Sequence, residues 1–413
     1  MVRIASLAAA FTATAAATIS HRTLRELEIA DETEIMVRFV SPNSLAKLDT
    51  ESLPREDRAL AVFSTLSADS AIATAAGVEL AKAAGVEYTA YWIDTLLYIK
   101  GAKKDLVEQL SGLPSVESIG PVEVYDLPVI KEDGPHVAVT NSTVEWGSKL
   151  PNDRHGHGTH VTGTIAGLNG IGVAPEAKWI ACAGCPAGSC PQTDLLACAQ
   201  YITCPTDTDG NNPDCKLAPH VVNNSWGSRR NGDTWYEAAI LAWRKAGIVP
   251  VFSNGNAGPG CGTVGSPGDS PSVIGVGATD SDDALASLSS KGPEPLQKRI
   301  KPDVSAPGKS VRSAGSASDT AYITYSGTSM AAPHVSGAVA LIVNANPGAT
   351  YETVYKLLAN TVDTATLKPS PANCGGVDNS KYPNNDFGYG RINANKASST
   401  SSTPVPSTTK PAC

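Results

Sequence analysis

Gly327-Thr328-Ser329-Met330-Ala331-Ala332-Pro333-His334-Val335-Ser336-Gly337 is the stretch that decides how the chain is read. A polar run, Tyr322 to Ser326, leads into it, and a small-residue apolar helical pattern, Ala338 to Val343, leads out. A serine in the first turn of a buried helix has a backbone N–H with no acceptor inside the helix, at the positive end of the helix dipole. Negative charge developing beside Ser329 would be stabilised there. Gly327 lets the chain turn with no side chain in the way, and Pro333 is read as falling within the first helical turn, where a missing N–H is tolerated. Taken alone, the stretch fits a core helix with Ser329 as its cap. A second stretch, His157-Gly158-Thr159-His160-Val161-Thr162-Gly163-Thr164, turns the reading toward nucleophilic catalysis.

The two motifs, 327–334 and 157–164, resemble almost residue for residue, and in the same order, those of the subtilisin-like serine peptidases. The resemblance runs from about residue 30 to residue 396. It implies Ser329 as nucleophile and His157 as general base, with an imidazole near neutral pKa within reach of the serine oxygen. It also implies Asn256, in Asn254-Gly255-Asn256-Ala257-Gly258, as a side-chain donor to the oxyanion, and a secreted endopeptidase acting on polypeptides. Ser225-Trp226-Gly227 resembles the family's substrate-binding strand, whose edge pairs with an extended peptide. Gly388 to Ala394 resembles its closing motif. His160 is read as a structural neighbour. A metal site on His155, His157 and His160 is disfavoured because no carboxylate lies at ligand spacing in that run. Calcium is common in the family, but no Asp-rich loop is evident, so no cofactor is assigned.

The rest of the chain agrees with an α/β fold. Ala177–Ala181, Val221–Gly227, Ile248–Ser253 and Val273–Ala278 read as strands, with helices over Thr193–Thr203 and Trp235–Ala246. Buried strands alternating with helices indicate a doubly wound, mostly parallel sheet, with the site beyond the carboxyl ends of the strands. Residues 32–130 read as a separate small domain. Strand Glu34–Val40, helix Ala71–Ala84, two strand runs between Tyr88 and Lys100 broken near Asp94, helix Lys103–Leu113 and strand Val116–Tyr125 give a β-α-β-β-α-β, ferredoxin-like α+β order. The resemblance makes this the propeptide, an intramolecular inhibitor cut off on activation, and makes 144–396 the peptidase domain, starting at Val144-Glu145-Trp146-Gly147.

Composition sets the surroundings. A net charge of −8 argues against nucleic acid or anionic membrane as partner, and no long strongly apolar run is seen to span a membrane. Residues 1–20, with Arg3 and an Ala-rich run, read as a secretory signal peptide. Nine cysteines fit a secreted protein, six of them between 182 and 215, where disulfides stapling a surface insertion are expected over zinc. The pairing is left open, and one thiol is left over. Asn141-Ser142-Thr143 is a glycosylation sequon, and 397–413 is a Ser/Thr/Pro-rich tail. A monomer is expected.

One part of the machinery is not found. A serine triad needs a carboxylate to orient its histidine, and in the family that group closes the first core strand as Asp, then Ser or Thr, then Gly. Before His157, Asp126 is followed by Leu127-Pro128, Asp133 follows Lys131-Glu132, and Asp153 sits four residues from His157 in the approach to its helix. The peptidase domain is therefore read as lacking this strand and its aspartate. The rival reading is a catalytically impaired pseudoprotease that binds peptides or inhibits a protease. An esterase has no support, since no Gly-x-Ser-x-Gly surrounds Ser329.

Overall fold

The computed structural model describes residues 17–127 (Asp126 by its backbone alone), the backbone of 130–132, and residues 153–400. The sequon at Asn141, the segment Val144–Gly147, Asp133 and Cys413 lie outside the described residues, as do 1–16 and 401–413. The described chain clusters into two units, 17–44 with 66–122, and 45–65 with 123–400.

The smaller unit begins with β1 (Thr18–Ile19), α1 (His21–Ile29) and β2 (Glu32–Phe39). Next come α2 (Ser44–Lys47) and α3 (Arg55–Ala84), which the unit boundaries cut, then β3 (Glu87–Tyr91), β4 (Leu96–Lys103), α4 (Lys104–Ser111) and β5 (Val116–Pro121). The sheet order is β1-β5-β2-β4-β3. Its four main strands are all antiparallel to their neighbours, as two interleaved βαβ units require, and only β1 is parallel to β5. Ile35, Val37 and Phe39 point from β2 into a core shared with Leu97, Ile99, Leu106 and Ile119. The break near Asp94 is a turn held by a two-pronged ion pair between Arg38 and Asp94, both N···O distances 2.8 Å. A Cβ on Gly77 would lie 2.5 Å from Phe39 Cζ, so that glycine lets α3 approach the sheet.

The unit's bounds differ from the expected 32–130. It takes in β1 and α1, whose Ser20 caps α1 by accepting from Thr23 N, so the expected 1–20 leader overlaps this sheet. At the other end the strand read over Val116–Tyr125 divides after Pro121. Its continuation, β6 (Val124–Asp126), pairs with β8 (Ser189–Pro191) in the larger unit, and β7 (Ile130–Glu132) also belongs there. Among the described residues one helix, α3, is long and apolar enough to cross a membrane, which the expectation of no spanning run had not allowed for. Ala59, Val62, Leu66, Ala73 and Ala81 along it are buried.

The larger unit is built on a four-stranded sheet. After α5 (His157–Ala166) and α6 (Gln192–Thr203) come β9 (Val221–Asn224), α7 (Glu237–Lys245), β10 (Val249–Ser253), β11 (Ile274–Thr279) and β12 (Val304–Pro307). The sheet order is β12-β11-β10-β9, with every pair parallel. All residues of β10 and β11 are buried, the signature of strands covered on both faces. A hairpin, β13 (Val311–Ala314) with β14 (Tyr322–Ser326), extended by β7, leads into α8 (Thr328–Ala345). Helix α8 packs across β9 to β12 and against α5, and α9 (Tyr351–Asn360) and α10 (Ala394–Ser399) close the core. Gly337 makes one of these close approaches, since a Cβ there would sit 2.6 Å from Val173 Cβ.

Three sequence expectations need correction. Ala177–Ala181 is not a strand. It finds no ladder partner among the described residues, and β9, with which it lines a common cavity, is an edge strand. A strand exists only where another supplies its hydrogen bonds. Pro333 is the sixth residue of α8 and not part of its first turn. The tail read from 397 starts later, because Asn393 caps α10 by accepting from Lys396 N and Ala397 is fully buried in the core.

Among the described residues four disulfides join Cys182 to Cys198, Cys185 to Cys190, Cys204 to Cys215 and Cys261 to Cys374. The first three staple the 182–215 region, and the fourth joins segments 113 residues apart.

Candidate active site

Ser329 is the second residue of α8, and β9 ends at Asn224, so Ser225 and Ser329 meet at the carboxyl edge of the parallel sheet. They are joined twice. Ser225 Oγ donates to Ser329 O at 2.8 Å, and Ser329 Oγ donates to Ser225 O at 3.2 Å. Both residues are buried.

Asn256 follows the end of β10 and reaches the same helix terminus. Its Oδ1 accepts from Thr328 N and from Thr328 Oγ1, each at 2.8 Å. Two donors on the oxygen fix which way the amide faces and leave Nδ2 as its donor end. A Cβ on Gly327 would lie 3.1 Å from that nitrogen, so glycine here keeps the space beside the amide clear. Thr328 also accepts from Gly255 N at 3.2 Å, tying the 254–258 loop to α8. Thr328 is thus a further residue of the site, one that lies inside the 327–334 motif but whose role depends on contacts the motif does not reveal.

His157 opens α5. It follows Gly156, whose φ of 86° and whose closeness to Ser316 Oγ, which a Cβ would approach to 2.8 Å, require glycine. The His157 ring is buried, and its Nε2 has no hydrogen-bond partner among the described residues. Burial, reinforced by the neighbouring His160 and His155, depresses its pKa to about 3, and Asp153 offsets this only slightly. The expected near-neutral imidazole is therefore replaced by one held firmly uncharged. Nε2 makes no hydrogen bond to Ser329, whose hydroxyl is turned to Ser225.

Among the described residues, Asp153 is the carboxylate nearest His157 in sequence, and its oxygens are bonded to other groups. Its Oδ1 accepts from Gly156 N (2.8 Å) and His155 N (3.1 Å), and its Oδ2 accepts from Thr159 N and Thr159 Oγ1, both at 2.8 Å. Burial alone would raise its pKa, but these bonds outweigh burial and hold the carboxyl below its usual range. It caps the start of α5, and its effect on the His157 ring is a weak charge interaction through space. His160 is engaged away from Ser329. Its Nε2 donates to Val311 O at 2.9 Å, its ring stacks on Tyr325 at 4.8 Å, and burial lowers its pKa to about 4.

Of the expected substrate strand, Ser225 is engaged with Ser329. The Trp226 ring is buried among Tyr125, Trp235, Tyr236 and Phe252, with its Nε1 donating to Asn224 Oδ1 at 3.1 Å. Gly227 lies against residue 266, whose carbonyl a Cβ would approach to 3.1 Å. On the free side of β9 lies a cavity of about 1070 Å³, lined among others by Val161, Trp179, Ile180, Val222, Asn224 and Ser336, with His157 on its wall. Among the described residues no group of three or more His, Cys, Asp or Glu side chains is placed to hold a metal ion.

Comparison with known proteins matches residues 87–390 to the subtilase family, Peptidase_S8. Bacillopeptidase F of Bacillus subtilis is 39% identical over 257 residues, 60% of this chain and 17% of that protein. Serine protease AprX of the same organism is 36% identical, over 52% of this chain and 54% of its own length. Subtilisin Savinase of Lederbergia lenta is 35% identical, over 52% of this chain and 73% of its own. The chain thus spans about half or less of the length of the first two relatives. The family model covers most of the chain, including Ser329, Asn256 and His157, and the chain belongs to the subtilase family.

Proposed function

We propose that the protein is a serine endopeptidase that hydrolyses peptide bonds of polypeptides, with Ser329 as nucleophile, His157 as proton acceptor and then donor, and Asn256 with the Ser329 N–H as the oxyanion site. The observation that carries the proposal is the convergence at the start of α8. There Thr328 holds the Asn256 amide by its oxygen while Ser329 occupies the helix N-terminus beside it. As the Ser329 oxygen attacks a carbonyl carbon, the carbonyl oxygen gains negative charge. A helix N-terminus and an amide N–H₂ are the groups that favour that charge before the reaction begins.

The proton released from Ser329 goes to the imidazole of His157. A base of pKa about 3 accepts it reluctantly, and Asp153, whose oxygens are bonded to His155, Gly156 and Thr159, stabilises the imidazolium only slightly and at a distance. Turnover is therefore expected to fall about 10⁴-fold below that of a complete triad. An extended substrate would pair with backbone at Ser225–Gly227, since the Trp226 side chain is committed to the interior. Secretion and a pro-form belong to the same proposal. Four disulfides favour an oxidising compartment, and the segment read as 32–130 would act as the inhibitory propeptide of a monomeric enzyme.

The test is labelling of the purified chain with a fluorophosphonate, alongside hydrolysis of a fluorogenic peptide, for wild type, Ser329→Ala and His157→Ala. Slow labelling that both substitutions abolish is expected. A folded wild-type chain that neither labels nor cleaves would overturn the proposal.

A further inference from the structure

We propose that Ser225 is a positioning residue for Ser329, and that Pro333 is what makes it necessary. In an α-helix the carbonyl of residue i is bonded by the N–H of residue i+4. For Ser329 that partner is residue 333, and proline has no N–H to give. The carbonyl of the nucleophile's own residue is therefore cut off from the helix ladder one turn into α8. Ser225 Oγ–H comes from the end of β9 and donates to this carbonyl at 2.8 Å. In return the Ser329 hydroxyl rests on Ser225 O at 3.2 Å.

Ser225 is itself held. Its Oγ accepts from Asn223 Nδ2 at 2.9 Å, and Asn223 Oδ1 accepts from Ser336 Oγ at 3.0 Å. Ser329 and Ser336 lie seven residues, about two turns, apart on one helix and so share a face. The strand end thus grips α8 at two points of the same face, above and below the proline. Because Ser225, Ser329 and Ser336 are buried, water does not replace a bond that is lost. The first turn of α8 takes its position from the sheet, and the Ser329 oxygen takes its position from that turn.

The kinetic arm of this inference rests on the serine endopeptidase reading, whereas the thermodynamic arm does not. Four full-length proteins are compared with wild type: Ser225→Ala, Ser225→Thr, Pro333→Ala and the double variant Ser225→Ala with Pro333→Ala. Each is measured for its fluorophosphonate labelling rate and its thermal midpoint. Ser225→Ala is expected to slow labelling about tenfold and to lower the midpoint by about 3 °C. Ser225→Thr keeps the hydroxyl and is expected to retain most of both. The Pro333→Ala substitution makes a backbone N–H available again to the Ser329 carbonyl. Adding Ser225→Ala to it is therefore expected to change rate and midpoint by less than half as much as Ser225→Ala does with Pro333 retained. Equal effects of Ser225→Ala in both backgrounds, or no effect in either, would overturn the proposal. Coupled midpoints in a chain that never labels would uphold the positioning bond and reject the endopeptidase reading.

Discussion

Replacing His157 with Gln should change how the fold responds to acid. In the unfolded chain a histidine protonates near its ordinary pKa of 6.5, whereas buried His157 does so only near pH 3. Between those values the folded protein binds fewer protons than the unfolded one, so stability falls as the pH falls through that window. At about 1.4 kcal/mol per pH unit, the group removes roughly 2 kcal/mol between pH 7 and pH 5, and on the order of 3 by pH 4. His160 titrates in the same direction but is present in both proteins, so it cancels. The assay is urea unfolding of wild type and His157→Gln at pH 7 and pH 5, read by tryptophan fluorescence from the cluster around Trp226, Trp235 and Trp243. Wild type should lose about 2 kcal/mol more than the variant over that step. Equal losses would mean that the ring ionises normally in the fold. A smaller loss in wild type would mean that a carboxylate from outside the described residues pairs with it. Either result would refute the reading of an isolated, uncharged His157.

Three further outcomes follow from named contacts. Asn256→Ala should lower kcat by about 10²–10³ with little change in KM, the loss typical of removing one oxyanion donor, for which a subtilisin asparagine is the standard case; an unchanged kcat would remove Asn256 from the site. Asp153→Ala should cost about 1 kcal/mol through the lost α5 cap and leave the labelling rate of the folded chain within a few-fold; a 10⁴-fold loss would instead make it the missing triad member. Lys291 and Asp386 form a buried ion pair, Nζ to Oδ1 3.3 Å, so Lys291→Met should destabilise the larger unit by about 3–5 kcal/mol in urea, and a cost below about 1 kcal/mol would show that Asp386 is satisfied by Ser370 and Asn379 alone.

Local chemistry carried much of this molecule. The fully buried strands β10 and β11 were legible as short apolar runs, and the 157–164 and 327–334 motifs put His157 and Ser329 at helix starts from residue order alone. Cysteine crowding between 182 and 215 announced disulfides there, while the pairing depended on which thiols the folded chain brings together. Ala177–Ala181 has a strand's composition yet forms none, because a strand depends on a neighbour that periodicity does not reveal. Asp153 could be judged off-pathway by its spacing, but only the fold shows all four of its hydrogen bonds spent on capping α5. The depressed pKa of His157 has the same origin, since desolvation and unanswered neighbours act through space. Pro333 draws the line most sharply. Its missing N–H is written in the sequence, but the donor that replaces it, Ser225, lies 104 residues upstream of Ser329 and reaches its carbonyl only because β9 and α8 pack together.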